Sequence, residues 1–179
     1  MNIITSQWAS LALLAALAFS VIIDDQPVYS QRPANLFSMC KFGSYAENLT
    51  HGYDLVIGRE LFTAIGAMRS EGVSSANCRI RSGNSDYKYK TLRLAFGMED
   101  ENLRPYRCTK PITVNVYLDG NLEDSRSLLP SEKALFLMDV SRTSSVSIEV
   151  PPNSCNNYGY VYFTQAILEP ISASPGRRY

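Results

Sequence analysis

The stretch TKPITVNVYLDGNLEDSRSLLPSEKALFLMDVSRTSSVSIEV, residues 109–150, determines the fold class of this chain. Apolar side chains alternate with other residues in three runs, at 112–118, 136–140 and 146–150. Because a period of two places successive side chains on opposite faces, each run predicts a β-strand with one buried face. The Asp119-Gly120 pair after the first run supplies the positive φ angles that a tight hairpin needs. These residues therefore predict a series of antiparallel strands.

Further strand patterns occur on both sides of this stretch. Leu92, Leu94 and Phe96 repeat the period of two, and residues 160–168 are apolar on both faces, which is typical of a central strand. Almost no helical period is present. The sequence thus predicts an all-β protein, an antiparallel β-sandwich or barrel. The predicted strands are 53–57, 77–81, 90–97, 111–118, 122–129, 133–140, 144–150 and 160–168.

The connections between the first strands are predicted from turn residues. The cluster at 82–86, Ser-Gly-Asn-Ser-Asp, predicts that 77–81 and 90–96 form an antiparallel pair. Residues 70–77 are small and polar and predict a loop. Residues 60–68 fit either a strand or one helical turn, and the sequence leaves both open.

Residues 1–30 have the composition of a secretory signal peptide. Positions 9–23 are almost wholly apolar, and small-residue cleavage patterns occur at 16–18 and 28–30. An uncleaved membrane anchor is the alternative, but about 15 apolar residues are fewer than the roughly 20 that a spanning helix requires. We therefore expect a secreted or periplasmic protein. The expected divisions are a signal peptide at 1–30, an N-terminal arm at 31–52, a β-sandwich at 53–169 and a C-terminal tail at 170–179.

The charge of the chain excludes some classes of partner. Loss of Asp24 and Asp25 with the signal peptide would leave 17 basic and 15 acidic side chains, a net charge of about +2. The basic residues are scattered, so no nucleic-acid surface is expected. No membrane contact is expected after cleavage, and the oligomeric state is left open.

Four cysteines, Cys40, Cys78, Cys108 and Cys155, predict two disulfides in an exported protein. Spacing alone allows three connectivities. Cys108 precedes the strand at 111–118, Cys155 follows the strand at 144–150, and counting chain reversals places both at one end of the sandwich. We therefore predict the pairs Cys108–Cys155 and Cys40–Cys78.

Four motifs occur in an order that resembles one known family. The chain resembles NPCBM, a family of carbohydrate-binding modules associated with glycoside hydrolases, over about residues 88–169. The motifs are KTLRLAFGMED at 90–100, ITVNVYLDG at 112–120 with Asp124-Ser125 after it, LMDVS at 137–141, and YFTQAIL at 162–168 after the strand 146–150.

This resemblance implies a galactose-binding-like jelly roll that binds glycans without catalysis. Family members usually carry a GIGTH segment before these motifs. The corresponding segment here is Ala64-Ile65-Gly66-Ala67-Met68, which keeps the second glycine and has Met68 in place of the histidine. The alternative is therefore a structural or protein-interaction sandwich that has lost sugar binding.

The loops at 98–110 and 151–159 are expected at the same end of the sandwich and form the candidate ligand site. Aromatic rings can stack on sugar faces, while acid, amide and guanidinium groups hydrogen-bond hydroxyls. A solvated loop without a ligand is the alternative. Tyr158, Tyr160 and Tyr162 share one strand face, where we expect a structural aromatic ladder at least for the last two. The candidate ligand-binding residues are Asp100, Arg104, Tyr106, Asn156, Asn157 and Tyr158.

Catalytic and metal motifs are not evident in the sequence. His51 is the single histidine and lies in a turn-like segment, so we expect a surface residue and no enzyme. Glu99-Asp100-Glu101 offers oxygen ligands for Ca²⁺, but consecutive acids rarely converge on one ion. We expect a solvated acidic loop there, with no cofactor and no metal site.

Overall fold

A computed structural model describes residues 32–81, 88–100, 110–153 and 159–171 of the chain. These residues form eleven β-strands and one 3-10 helix, Leu36–Met39. The strands are β1 (Ala34–Asn35), β2 (Cys40–Phe42), β3 (Ala46–Ile57), β4 (Glu60–Arg69), β5 (Ser74–Arg79), β6 (Tyr89–Gly97), β7 (Ile112–Leu118), β8 (Asn121–Leu128), β9 (Lys133–Asp139), β10 (Ser145–Val150) and β11 (Tyr160–Pro170).

The strands form two antiparallel sheets packed face to face. The first sheet has the order β3-β4-β11-β6-β9, with β1 pairing the second half of β11. The second sheet has the order β2-β5-β10-β7-β8. The predicted fold class, an all-β antiparallel sandwich, is confirmed.

Residues 110–150 form the strands that the alternation predicts, within one or two residues at each end. β7 and β8 make the predicted hairpin, in which Leu118 pairs with Asn121 across Asp119 (φ 49°) and Gly120 (φ 85°). β9 joins the first sheet and β10 joins the second, beside β7. The stretch therefore contributes to both layers.

The main core lies between the two sheets. Leu92, Leu94 and Phe96 of β6 are buried against Val114 and Val116 of β7 and their neighbours. In each run the residues at alternate positions point inward, where burial of each large apolar side chain stabilises the fold by about 1.5–3 kcal/mol. The predicted final strand is confirmed as β11, and it is central in its sheet.

Two predictions for the first half of the chain are wrong. Residues 74–76, predicted as part of a loop at 70–77, belong to β5, which shares residues 77–79 with the predicted strand 77–81. The small inward residues Ser74 and Ala76 give no apolar signal. β5 pairs with β2 and β10, whereas β6 pairs with β11 and β9, so the pair expected across the turn cluster does not form. Turn residues predict a change of direction, but they do not predict whether the next strand joins the same sheet or the other one. Residues 60–68 are a strand, within β4.

Residues 34–52 lie within the sandwich. They were expected to form an N-terminal arm with a short strand, and they contribute β1, β2, the 3-10 helix and the first part of β3. Phe37 of the 3-10 helix packs edge-on against Phe163 of β11 at 5.4 Å between ring centroids. Residues 1–31, which include the predicted signal peptide, and residues 172–179 lie outside the described residues.

The predicted Cys40–Cys78 disulfide is confirmed, and it joins β2 to β5 at directly paired positions. Cys108 and Cys155 lie outside the described residues, so their pairing remains a prediction. The segment after Cys108 does meet the segment before Cys155: the Asn153 side-chain amide donates to the Pro111 carbonyl oxygen at 3.2 Å.

A second apolar cluster lies on the other side of β11 from the main core. It consists of Leu55, Ile57, Ala64, Ala67 and Tyr162. The β3–β4 hairpin supplies the first four, and its strand β3 has an irregular register between Asn48 and Tyr53.

The expected aromatic ladder is confirmed for the described tyrosines. The Tyr162 ring stacks on those of Tyr53 and Tyr160, with 5.7 Å between centroids in each pair. Because Tyr162 is only 4% exposed, it serves packing. Tyr158 lies outside the described residues.

Candidate functional site

The flanks of the two predicted ligand loops meet at one end of the sandwich. The Ser70 N–H donates to the Gly159 carbonyl oxygen at 2.9 Å, and the Asn153 N–H donates to the Ser70 carbonyl oxygen at 3.0 Å. In the first sheet, Gly97 at the end of β6 pairs with Tyr162 near the start of β11. The chain therefore enters and leaves both loops at the same end, as the strand count predicts.

Asp100 is the one predicted ligand residue that the structure describes, and it holds a turn. The Gly58 N–H donates to its Oδ1 at 2.6 Å and the Arg59 N–H to its Oδ2 at 3.2 Å. Its own N–H donates to the Val56 carbonyl oxygen at 3.0 Å. Both carboxylate oxygens thus bind the β3–β4 turn. The other five predicted residues, Arg104, Tyr106, Asn156, Asn157 and Tyr158, lie outside the described residues.

Gly58 and Arg59 both have positive φ angles, 58° and 70°, a conformation that is uncommon for arginine and that the Asp100 carboxylate helps to hold. Partial burial alone would raise the pKa of Asp100. Hydrogen bonds from the Ser131 hydroxyl and from the Gly58 and Arg59 N–H groups outweigh that effect and hold the pKa below its usual 3.8. The folded state therefore favours the charged carboxylate.

Replacing Asp100 by alanine is expected to lower the free energy of unfolding by about 1 kcal/mol at pH 7, because two turn N–H groups lose their acceptor. A depressed folded-state pKa means that this contribution is present above pH 4 or so and is lost as the pH falls through the folded-state pKa. Urea unfolding at pH 7 and pH 3 checks the change. Glu123→Ala, on the exposed face of β8, is the control. A difference from wild type that stays the same at both pH values would contradict the assignment.

The segment that resembles GIGTH lies in the middle of β4. Met68, at the position of the family's histidine, is 1% exposed and belongs to the main core. A Cβ atom on Gly66 would lie 2.5 Å from the Phe37 ring. In this chain the segment therefore serves packing between β4 and the 3-10 helix.

A groove of about 370 Å³ on the outer face of the first sheet was missed by the sequence analysis. Its two cations are neutralised, since Lys133 Nζ lies 2.6 Å from Glu60 and Arg93 lies 3.1 Å from Glu169. The sequence signal for this groove is the pair of leucines that alternate with the buried residues of β9. Leu135 is 50% exposed and Leu137 is 60% exposed. The groove is lined by Ile57, Phe62, Arg93, Ala95, Phe96, Lys133, Ala134, Leu135, Thr164 and Gln165.

The described residues contain neither a candidate metal cluster nor a candidate membrane-spanning helix. Within these ranges, no three histidine, cysteine, aspartate or glutamate side chains are grouped so that they could hold a metal ion. No helix among them has the length and apolar character of a membrane span. His51 is exposed, on β3.

No protein-family model and no curated protein sequence matches this chain. Solved structures do match. The CBM51 module of Clostridium perfringens GH95, solved with methyl-galactose, shares 12% identity at a TM-score of 0.56, over 76% of this chain and 99% of that chain. Tandem CBM51 modules of a family 98 glycoside hydrolase from Streptococcus pneumoniae share 11% identity at a TM-score of 0.61, over 83% of this chain and 50% of that chain.

A third structure belongs to a larger assembly of domains. The CBM51-2 and INT domains of Clostridium perfringens ZmpB share 14% identity at a TM-score of 0.58. That match covers 76% of this chain, which spans only 31% of the other. At these identities the likeness concerns the fold: this chain has the β-sandwich fold of the CBM51 carbohydrate-binding modules.

Proposed function

We propose that this chain is an exported, non-catalytic carbohydrate-binding module. The observation that carries the proposal is the match to 99% of a CBM51 module solved with methyl-galactose. The shared fold supports glycan binding by similarity, and the order of the NPCBM-like motifs agrees with it, while no family model matches the chain. The glycan itself is left open.

The ligand site that we propose is formed by the loops 98–110 and 151–159. Arg104, Asn156 and Asn157 carry hydrogen-bond donors suited to sugar hydroxyls, and Tyr106 and Tyr158 carry rings suited to sugar faces. The described flanks of both loops meet at one end of the sandwich. Asp100 acts as a positioning residue because its carboxylate holds the neighbouring β3–β4 turn.

A glycan array probed with the exported domain tests this function. We expect binding to at least one neutral glycan, reduced about tenfold or more by Tyr158→Ala or Arg104→Ala, because each removes a stacking or a charged hydrogen-bonding group. Arg126→Ala on β8 is the matched arginine control and should bind as wild type does. A blank array across plant, algal and animal glycans, with the domain folded, would contradict the proposal.

Export is tested by the N-terminus of the secreted product. We expect the mature protein to begin after residue 30, or after residue 18 if the earlier cleavage pattern is used. Edman sequencing or mass spectrometry of the secreted chain measures this directly. A product that still begins at Met1 would show that the segment is not cleaved.

A protein-interaction sandwich is the second candidate function. The observation in its favour is the pair of exposed leucines, Leu135 and Leu137, on the outer face of β9. A blank array combined with a stable fold would favour this candidate over the first.

A further inference from the structure

The outer face of the second sheet carries a ladder of hydroxyl and amide groups. The Thr113 and Ser127 hydroxyls lie 2.8 Å apart, and the Ser125 hydroxyl donates to the Asn115 side-chain oxygen at 2.7 Å. On the other half of the sheet, the Ser147 hydroxyl donates to the Asn77 side-chain oxygen at 2.8 Å. Outward side chains on β5, β7 and β10 are thus held in fixed positions by their neighbours.

At one edge this face forms a groove of about 380 Å³. Lys41 of β2 pairs directly with Asn77 of β5. Arg79 is two residues further along β5, so it is a diagonal neighbour of Lys41 at about 7–8 Å between backbones. Two cations therefore share one groove. Its lining includes Met39, Lys41, Asn77, Arg79, Ser145 and Ser147, without an acidic residue among the described ones.

These two cations are not neutralised within the part of the chain that the structure describes. Arg93 and Lys133 on the first sheet each have a carboxylate partner, whereas Lys41 and Arg79 form no ion pair among the described residues. Asp119 lies beside Ser145, and its carboxylate accepts the Ser144 and Ser145 N–H groups at 3.0 and 2.8 Å and the Ser145 hydroxyl at 3.1 Å. The residues that line the groove themselves carry two positive charges and no negative charge.

An aromatic ring lies beside the groove on the same face. Tyr117 of β7 pairs with Ser147 of β10, so the two side chains are direct cross-strand neighbours. Tyr117 is partly exposed. Glu149 is the next outward residue on β10 and pairs with Ser75, one row beyond the row that contains Lys41 and two rows beyond Arg79. One row across four neighbouring strands therefore presents a cation, an amide, a hydroxyl and an aromatic ring: Lys41, Asn77, Ser147 and Tyr117.

We propose that this outer face binds an anionic glycan, one that bears a carboxylate or a sulfate. The anionic group would bind Lys41 and Arg79, and sugar hydroxyls would bind Asn77, Ser145 and Ser147. The apolar face of a neighbouring sugar would stack on Tyr117. This site lies on a sheet face rather than at the loop end, so it does not depend on the proposed loop site.

Binding to soluble polysaccharides of defined charge tests the site. The probes are polygalacturonate, dextran sulfate and unmodified dextran, measured by isothermal titration calorimetry with the full exported domain. We expect one or both polyanions to bind and dextran to bind at least tenfold more weakly. Binding should weaken as salt rises, because exposed charges are screened. The polyanion that binds identifies the carboxylate or the sulfate as the preferred group.

Paired variants separate this groove from a general charge effect. Lys41→Gln with Arg79→Gln is expected to weaken polyanion binding about tenfold, since each exposed ionic contact is worth up to about fivefold. Lys88→Gln with Arg126→Gln removes the same charge elsewhere and should change binding less than twofold. Thermal unfolding checks that all variants are folded.

Several outcomes would overturn the proposal. They are the absence of binding to both polyanions, an equal loss in both double variants, and unchanged binding in the Lys41 and Arg79 double variant. Equal or tighter binding of a single-stranded DNA oligonucleotide would also overturn it, because it would show an anion surface without preference for sugars. The neutral-glycan array tests the loop site, so failure of one proposal is distinguishable from failure of the other.

Discussion

Replacing both Cys40 and Cys78 by alanine is expected to lower the free energy of unfolding by about 3–4 kcal/mol. The bridge closes a sequence separation of 38 residues. In the chain-entropy description, this restricts the unfolded chain by about that amount. The folded state also depends on the bridge, because β2 is an edge strand of three residues and pairs with β5 alone among the described strands. Urea unfolding of variant and wild type under oxidising conditions measures the difference.

The second predicted bridge supplies a matched comparison. Cys108→Ala with Cys155→Ala should cost a similar amount if those residues are paired as predicted, since they are separated by 47 residues. Peptide mapping without reductant should recover Cys40 joined to Cys78 and Cys108 joined to Cys155. A loss below about 1 kcal/mol for the Cys40 and Cys78 variant would contradict the first expectation. A peptide joining Cys78 to Cys108 would contradict both pairings.

Replacing Gly66 by alanine is expected to lower the free energy of unfolding by about 2–3 kcal/mol. The added Cβ would lie 2.5 and 2.9 Å from two atoms of the Phe37 ring. That ring cannot move aside easily, because it is 1% exposed and packs against Phe42 at 5.5 Å and Phe163 at 5.4 Å. Overpacking of a close-packed core typically has this cost. Urea unfolding is again the measurement.

A second-site change distinguishes the clash from other effects of the added methyl group. Phe37→Leu shortens the ring side chain and should recover part of the loss when combined with Gly66→Ala, so the two changes should be non-additive. Gly43→Ala is the glycine control, because its new Cβ would lie 3.0 Å from the Ser75 hydroxyl and 3.4 Å from the Ser75 carbonyl oxygen and would meet no buried ring. Additive costs for Gly66→Ala and Phe37→Leu would contradict the proposed contact.

The position of the candidate loop site was predictable from the sequence, whereas the contacts of its residues were not. The strand count from residues 109–150 placed the flanks of both loops at one end, and the contact of Asn153 with Pro111 agrees with this. The role of Asp100 was not predictable, because its partners Gly58 and Arg59 are more than 40 residues earlier in the chain. The groove with Lys41 and Arg79 was not predictable either, since β2 and β5 carry weak apolar patterns.

The sequence by itself determined the fold class, the strands of the second half and the face that each strand buries. Period-two alternation is a local property, and burial of one face acts on every residue of such a strand. Only the tertiary structure decided which sheet each strand joins, that β5 begins at Ser74 and that Asp100 holds a turn. The physical reason is that strand pairing is made by backbone hydrogen bonds, which every sequence can form, so partners are selected by the packing of the whole sandwich.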